Sequence, residues 1–418
     1  MSKLDEMIRE LCPDGVEYKR FDEVCTLNAR IGWQRLTKAE YMSKGDYLLI
    51  TGTDFTETHE IDYSTCVYVT EERYKQDLKI QLKNGDILIT KDGTLGKVAQ
   101  VKGLEMPATL NGGVFVVRCK DGSLENRFIL HYLLSNHFQS VVEQQKTGST
   151  ISHLTQTLFS RLMIPIPPLE IQREIVRILD NFTELTAELT AELTARKTQY
   201  SFYRSRLLTF DANVEWKTVD EIAEVTDYVA NGSFAALKEN VNYKHTPDYA
   251  ILVRITDLVN GFDEENLVYI DKHAYNYLSK SKLYGGEIII NNIGAGVGTT
   301  FLCPCLDTYM SLAPNSIMVK TNNNKFYYYW LNSKEGQNAI RKIVSQGSLP
   351  KFNKTGFRSI RLPVPPLDVQ NRIVNVLDNF EKICSDLNIG LPAEIEARQK
   401  QYEYYRDKLL TFKEVAAT

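Results

Sequence analysis

The feature that most constrains this chain is a segment that it contains twice. Pro165-Ile-Pro-Pro-Leu-Glu-Ile-Gln-Arg-Glu-Ile-Val-Arg-Ile-Leu-Asp-Asn-Phe182 returns as Pro363-Val-Pro-Pro-Leu-Asp-Val-Gln-Asn-Arg-Ile-Val-Asn-Val-Leu-Asp-Asn-Phe380, 198 residues later. A second block follows each copy. Ala195-Arg-Lys-Thr-Gln-Tyr-Ser-Phe-Tyr-Arg-Ser-Arg-Leu-Leu-Thr-Phe210 matches Ala397-Arg-Gln-Lys-Gln-Tyr-Glu-Tyr-Tyr-Arg-Asp-Lys-Leu-Leu-Thr-Phe412 at an offset of 202 residues. Two matching blocks in the same order mean a duplicated unit, so whatever this chain builds it builds twice. Its 418 residues exceed one ordinary core and suit two domains of roughly 150 residues with connectors.

The repeated blocks read as long helices. Pro167 and Pro168 stop an extended strand, so helix can begin near Leu169. Apolar residues then recur at three- and four-residue steps through Val176, Leu179, Phe182, Leu185, Leu189, Leu193, Tyr200, Tyr203 and Leu207. From 169 to 209 this predicts a rod of about 60 Å. The second copy shows Ile373, Val376, Phe380, Ile383, Leu387, Ile395, Tyr402, Tyr405 and Leu409, but Gly390-Leu391-Pro392 must kink or break it. Two narrow apolar stripes of similar length predict an antiparallel coiled coil, with two unrelated surface helices as the alternative. At helical spacing Tyr200, Tyr203, Tyr402 and Tyr405 read as packing residues or partner-docking residues. The first block also holds Thr186-Ala-Glu-Leu189 followed by Thr190-Ala-Glu-Leu193. Each unit adds about 6 Å of helix, which reads either as an adjustable spacer or as a duplication tolerated on a solvated face.

The segments between the blocks begin alike: Val16-Glu-Tyr-Lys19 with Asp22-Glu-Val24, against Val214-Glu-Trp-Lys217 with Asp220-Glu-Ile222. Beyond that they match in outline. Buried strands are predicted at Tyr47 to Ile50 and Tyr249 to Leu252, and strands entered from a turn at Gly85 to Thr90 and Gly286 to Asn291. Glycine-containing loops follow, then aromatic helices at Phe128 to Ser135 and Phe326 to Ser333. The expected fold is α+β. Two mixed α/β domains, 1–163 and 211–361, alternate with helical spacers 164–210 and 362–418, packed with approximate internal two-fold symmetry. The end at Leu409 to Phe412 would lead naturally into the beginning at Cys12 to Gly15.

The doubled blocks resemble the specificity subunits of type I restriction–modification systems, and the resemblance covers essentially the whole chain. It implies that each globular half is a target-recognition domain reading one half of an asymmetric, bipartite site in double-stranded DNA. It also implies that the helices set the unread gap and dock two modification (adenine-N6 methyltransferase) subunits, with restriction subunits joining that core. S-adenosylmethionine and ATP with Mg would then belong to those partners, and no cofactor or metal to this chain. The Thr-Ala-Glu-Leu tandem resembles the gap-setting repeats of that family.

Under this reading the net charge of −4 matters, because non-specific coating of DNA needs many phosphate-neutralising cations. Binding must rest on local patches or on charge shared with partners. Two windows, 144–169 and 336–367, lack any acidic residue, and the second holds Arg341, Lys342, Lys351, Lys354, Arg358 and Arg361. Such loops can approach phosphates without repulsion, which nominates Lys146, Ser149, Thr150, His153, Ser348, Lys351 and Lys354. The glycine loops nominate Lys91, Lys97, Asn291 and Asn292. Arg30, Gln34, Arg35 and Asn231 have side chains suited to base edges.

Competing classes are a stand-alone DNA-modifying enzyme and a non-catalytic coiled-coil scaffold. The Pro-Pro pairs lack the preceding Asn or Asp and following aromatic of an adenine aminomethyltransferase, being flanked by Leu169 and Leu367. Ile293-Gly-Ala-Gly-Val-Gly298 is weak as a cofactor loop, and Pro13-Asp14 lies too close to Glu17-Tyr-Lys19 for a nuclease motif. No GxSxG, HExxH or Walker-type sequence occurs, so no catalytic residue is assigned. A scaffold would not need two large divergent domains. The seven cysteines form no CxxC pair, no apolar run approaches roughly 20 residues, and the N-terminus has no signal-peptide core. A cytoplasmic protein with no membrane partner is expected.

Overall fold

The computed structural model describes residues 3–32, 36–146, 154–211, 213–345, 347–386 and 389–415. The chain divides into two compact units, Met1–Glu192 with Leu391–Thr418, and Leu193–Gly390. Each unit combines one globular half with the start of the helical block that follows it and the end of the other block. The fold is α+β in both.

In the first unit an antiparallel sheet runs in the order Cys25–Asn28, Val114–Cys119, Ile87–Thr90, Val98–Gln100. Ile87, Ile89, Phe115 and Val117 face a core that holds Phe128, Leu130 and Phe159. Leu88, Val114 and Val116 face the opposite way, into a second core with Leu48, Ile50 and Leu110. These strands are covered on both faces, which is why they read as unbroken apolar runs instead of alternating ones. The second core is closed by the sheet Val67–Tyr68, Leu48–Ile50, Ala108–Leu110, whose last two strands are parallel.

The second unit repeats the plan. Ile288, Ile290, Ile317 and Val319 pack against Phe326 and Trp330, while Ile289 and Met318 face Ile251, Val253 and Leu312. Here the smaller sheet gains a strand, Lys282–Leu283, beside Tyr309–Leu312. In both units a two-stranded ribbon, Tyr18–Arg20 with Met163–Pro165 or Trp216–Thr218 with Arg361–Pro363, delivers the chain to a helical block.

The first block is one helix, Leu169–Leu207. The second is interrupted as expected: helix Leu367–Ser385 ends and Leu391–Leu409 begins at the Gly-Leu-Pro step. The repeated glutamine explains the start of each block. Gln172 is fully buried; its amide donates to Pro167 O at 2.7 Å and Ser123 O at 2.8 Å, and its oxygen accepts from Glu125 N. Gln370 likewise folds back on Pro365 O at 2.9 Å. Both amides thus satisfy carbonyls of the proline turn that has no donors of its own.

The repeated Leu-Asp-Asn-Phe has two uses. Asp180 takes Arg127 and the buried His131, whose other ring nitrogen lies 2.9 Å from the Tyr402 hydroxyl. Asp378 takes Lys325 and the Tyr329 hydroxyl, which also lies 2.7 Å from Glu381. The phenylalanines stack on the tyrosines of the other block: Phe182 on Tyr405 at 5.5 Å in the first unit and Phe380 on Tyr203 at 5.7 Å in the second. In the second unit Cys384 feels Lys197 and Arg196 while Phe380 meets Tyr203, so these two helices run antiparallel. The tyrosines are therefore packing residues at half-exposed positions. The two ends of the chain meet inside the first unit: Val16 N donates to Lys413 O at 2.8 Å and Val415 N to Val16 O at 3.2 Å. No helix among the described residues is long and apolar enough to cross a membrane.

Candidate nucleic-acid interface

The second unit brings together two loops that lie far apart in sequence. The strand Ile288–Asn291 ends in a glycine-rich turn closed by Gly298 N to Asn291 O at 2.7 Å and Asn291 N to Thr299 O at 2.9 Å. Asn291 is buried, and its side-chain oxygen accepts from Ile293 N. The acid-free segment lies alongside. Phe352 N donates to Asn292 O at 3.1 Å, Gly294 N to Pro350 O at 2.8 Å, and Ile293 bridges Lys351. Asn292 returns a bond to Phe352 O. Asn292 and Lys351 thus lie on adjoining segments, and Lys351 and the nearby Ser348 are exposed. Neither Lys351 nor Lys342 has an acidic partner within ion-pair distance among the described residues.

Three nominated side chains are committed inside the fold. Lys354 pairs with Asp227 at 2.8 Å, so its charge is locally cancelled. Asn231 donates to Tyr228 O and Ser281 Oγ and accepts from Lys280 N, which uses its amide to hold a turn. Arg30 is 3% exposed. It donates to Leu110 O, Gln76 Oε1, Arg73 O and Thr109 Oγ1, and burial with the nearby Arg73 lowers its pKa. A guanidinium so enclosed braces the smaller sheet and cannot reach a base edge.

The first unit shows the same loop geometry. Lys91 follows the strand Ile87–Thr90; its carbonyl accepts from Leu154 N at 3.1 Å and its N–H donates to Gly113 O. Its ammonium sits 5.1 Å over the Phe115 ring. Lys97 is exposed, with its backbone N–H on Thr90 Oγ1. Gln34, Arg35, Ser149, Thr150 and His153 lie outside the described residues, and Lys146 closes the helix Asn136–Lys146 with its side chain outside them.

Two residues that sequence reasoning passed over hold these turns. The Gln139 amide donates to Gly96 O and the Gln337 amide to Gly298 O, each at 3.0 Å. Their signal was present, as a Ser-x-x-x-Gln shared by Ser135 to Gln139 and Ser333 to Gln337. Among the described residues no cluster of His, Cys, Asp and Glu could hold a metal ion. The arrangement offers exposed turns carrying hydroxyl and ammonium groups on a braced framework, which suits recognition more than bond-making.

Comparison with known proteins bears on which ligand this surface meets. The profile described as type I restriction modification DNA specificity domain matches the chain twice, over residues 13–196 and 213–397. The chain is 32% identical over 315 residues to a putative type I restriction enzyme specificity subunit of Haemophilus influenzae, covering 72% of this chain and 76% of that one. It is 31% identical over 312 residues to the type I restriction enzyme EcoR124I/EcoR124II specificity subunit of Escherichia coli, covering 71% and 73%. The crystal structure of a type I restriction–modification S subunit from M. genitalium shares the fold, with a TM-score of 0.51 at 16% identity over 95% of this chain and 96% of that one.

Proposed function

The chain belongs to the type I restriction–modification DNA specificity family, and we propose from that membership that it is the sequence-reading subunit of such a complex. Each globular half, 1–163 and 211–361, reads one part of an asymmetric bipartite site in double-stranded DNA. The helical blocks 164–210 and 362–418 set the gap and dock two modification subunits, which bring S-adenosylmethionine and methylate adenine at N6. Restriction subunits with ATP and Mg join that core. The chain contributes recognition and no catalytic group of its own, in the cytoplasm.

The observation that carries this reading is one loop framework present twice with different side chains. Lys91 and Asn292 occupy the same place after the same strand, and each carbonyl accepts from the acid-free segment. Sequence discrimination depends on which donors and acceptors meet the base edges. Frameworks tied at matching points but carrying turns of unlike length and side chains therefore read unlike half-sites. We include Lys97, Asn292, Ser348 and Lys351 among the contacting residues, with Lys91, Lys146, Ser149, Thr150, His153, Gln34 and Arg35 as further candidates. Arg30, Asn231, Asn291 and Lys354 support the framework.

The test is co-expression with a modification subunit in a host without adenine methylation, followed by genome-wide mapping of methylated adenines. An asymmetric two-part motif with a fixed gap, lost when this chain is omitted, is the expected result. Methylation by this chain alone, or a continuous motif, would overturn the proposal.

A further inference from the structure

The two glycine-bearing turns differ in length and side chains, yet the same group ties each at the same point. The Gln139 amide donates one N–H to Gly96 O at 3.0 Å and one to Leu133 O at 2.6 Å. The Gln337 amide donates to Gly298 O at 3.0 Å and Leu331 O at 2.9 Å. Leu133 and Leu331 lie in the last turns of helices Asn126–Leu134 and Asn324–Leu331, where carbonyls have no intrahelical donor. One amide thus fastens a surface turn to the end of a core helix. The glycines permit the approach: φ is +79° at Gly96 and +91° at Gly298. A Cβ on Gly96 would sit 2.9 Å from Gln139 Oε1 and Val142 Cγ1. The opposite end of each turn is held by Leu154 N on Lys91 O and by Phe352 N on Asn292 O, both at 3.1 Å. Between the ties the residues are unlike: Asp92-Gly-Thr-Leu95 in one unit and Ile293-Gly-Ala-Gly-Val297 in the other.

We infer that Gln139 and Gln337 are positioning residues for DNA reading, each fixing the register of one turn against one half-site without touching DNA. The inference rests on the reading that these turns face DNA. Hydrogen bonds to base edges demand distances within a few tenths of an ångström and near-linear angles. Without the glutamine the turn keeps its closing backbone bonds, Gly298 N to Asn291 O and Gly96 N to Thr90 O, but is no longer fastened to the core helix and would hold that geometry in only part of its conformations. The amides are neutral, so they add nothing to phosphate attraction, and their loss strikes discrimination instead of electrostatic affinity.

The experiment uses the full chain in complex with its modification subunits. Binding is measured on the methylation-mapped duplex and on duplexes with single-base substitutions in either half-site. Gln337→Ala lowers discrimination roughly tenfold at one half-site only, within the range one mismatched base pair costs, and leaves the salt dependence unchanged. Gln139→Ala does the same at the other half-site. Gln337→Met, which keeps the length and removes the donors without adding charge, reproduces the alanine effect. Gly298→Ala moves the same turn by pressing on Ile340 Cγ2 at 3.0 Å, so the result can be read even if a glutamine variant fails to fold. Equal losses at both half-sites, or losses that track a falling Tm, overturn the inference. Lys97→Ala and Lys351→Ala separate the two levels. If these change affinity and the glutamine variants leave discrimination intact, only the positioning role fails. If neither set changes DNA binding, the turns do not face DNA.

Discussion

Lys351 and Lys354 sit three residues apart in one acid-free segment, and the fold gives them different fates. Lys351 is exposed, with no ion-pair partner among the described residues, while the Lys354 ammonium lies 2.8 Å from Asp227 Oδ1. A cation that neutralises a DNA phosphate releases a condensed counterion and contributes about 0.9 to the slope of log affinity against log salt. Lys351→Ala should therefore reduce that slope by about 0.9. Raising salt roughly fourfold would then cost the parent about 3.5 times more affinity than it costs the variant. Lys354→Ala should leave the slope unchanged, because its charge is already spent. Its effect falls on stability: Asp227, 14% exposed, loses its cation but keeps the Ala230 N–H. Solvent reaches the pair, so the cost should be no more than about 1 kcal/mol. Fluorescence anisotropy of a labelled specific duplex over a salt series, with urea unfolding in parallel, measures both. A Lys351→Ala slope equal to the parent, or an equal drop in slope for Lys354→Ala, would refute the reasoning.

Burial lowers the pKa of His131 despite its bond to Asp180, so the folded first unit favours the neutral ring. The unfolded chain takes up that proton below about pH 6.5. This stabilisation is therefore complete above about pH 6.5 and lost as pH falls toward the depressed folded value. His131→Gln should flatten the decline in urea stability between about pH 7.5 and 5.5, and an unaltered decline would count against it. Gln172→Ala orphans Pro167 O, Ser123 O and Glu125 N together and should cost about 3 kcal/mol. Gln370→Ala, with one such bond, should cost about 1 kcal/mol; denaturant titration giving equal losses would contradict the capping account. Removing Thr186–Leu189 withdraws about 6 Å of helix and should change the methylation gap while both half-sites persist; changed half-sites with an unchanged gap would end the spacer reading.

What could be read from the sequence was what repeats along it. A 39-residue helix announces itself through many apolar positions at helical spacing. The Gly390–Pro392 step ends a helix because proline lacks an N–H and glycine lacks a Cβ, wherever they occur. Ile288 to Ile290 and Leu88 with its neighbours read as strands because both faces are buried. The site depended on pairings that no local pattern carries. Arg30 resembles a base reader until its partners Leu110, Thr109, Gln76 and Arg73 close around it from 43 to 80 residues away. Lys354 meets Asp227 across 127 residues. Gln139 and Gln337 were visible as an identity, but their task appears only when the glycine carbonyls lie beside them.

The distribution of charge narrows what this chain can supply to a complex. In the second unit's acid-free window, Arg358 turns to Val225 O and Asp220, Arg361 donates to Trp216 O, and Lys354 pairs with Asp227. Arg341, Lys342 and Lys351 remain exposed, with no ion pair among the described residues. The positions matching Arg341 and Lys342 in the first unit are Glu143 and Gln144. Three outward cations in this window fall short of the six to ten phosphate contacts of a strongly salt-dependent binder. With a net charge of −4, the chain alone should bind DNA weakly, and its second unit should carry the larger share of salt dependence. On the proposed function, most phosphate neutralisation would fall to the partner subunits, and the turns held by Gln139 and Gln337 would contribute discrimination. Tight, strongly salt-dependent binding by the isolated chain, measured against the assembled complex, would break this division of labour.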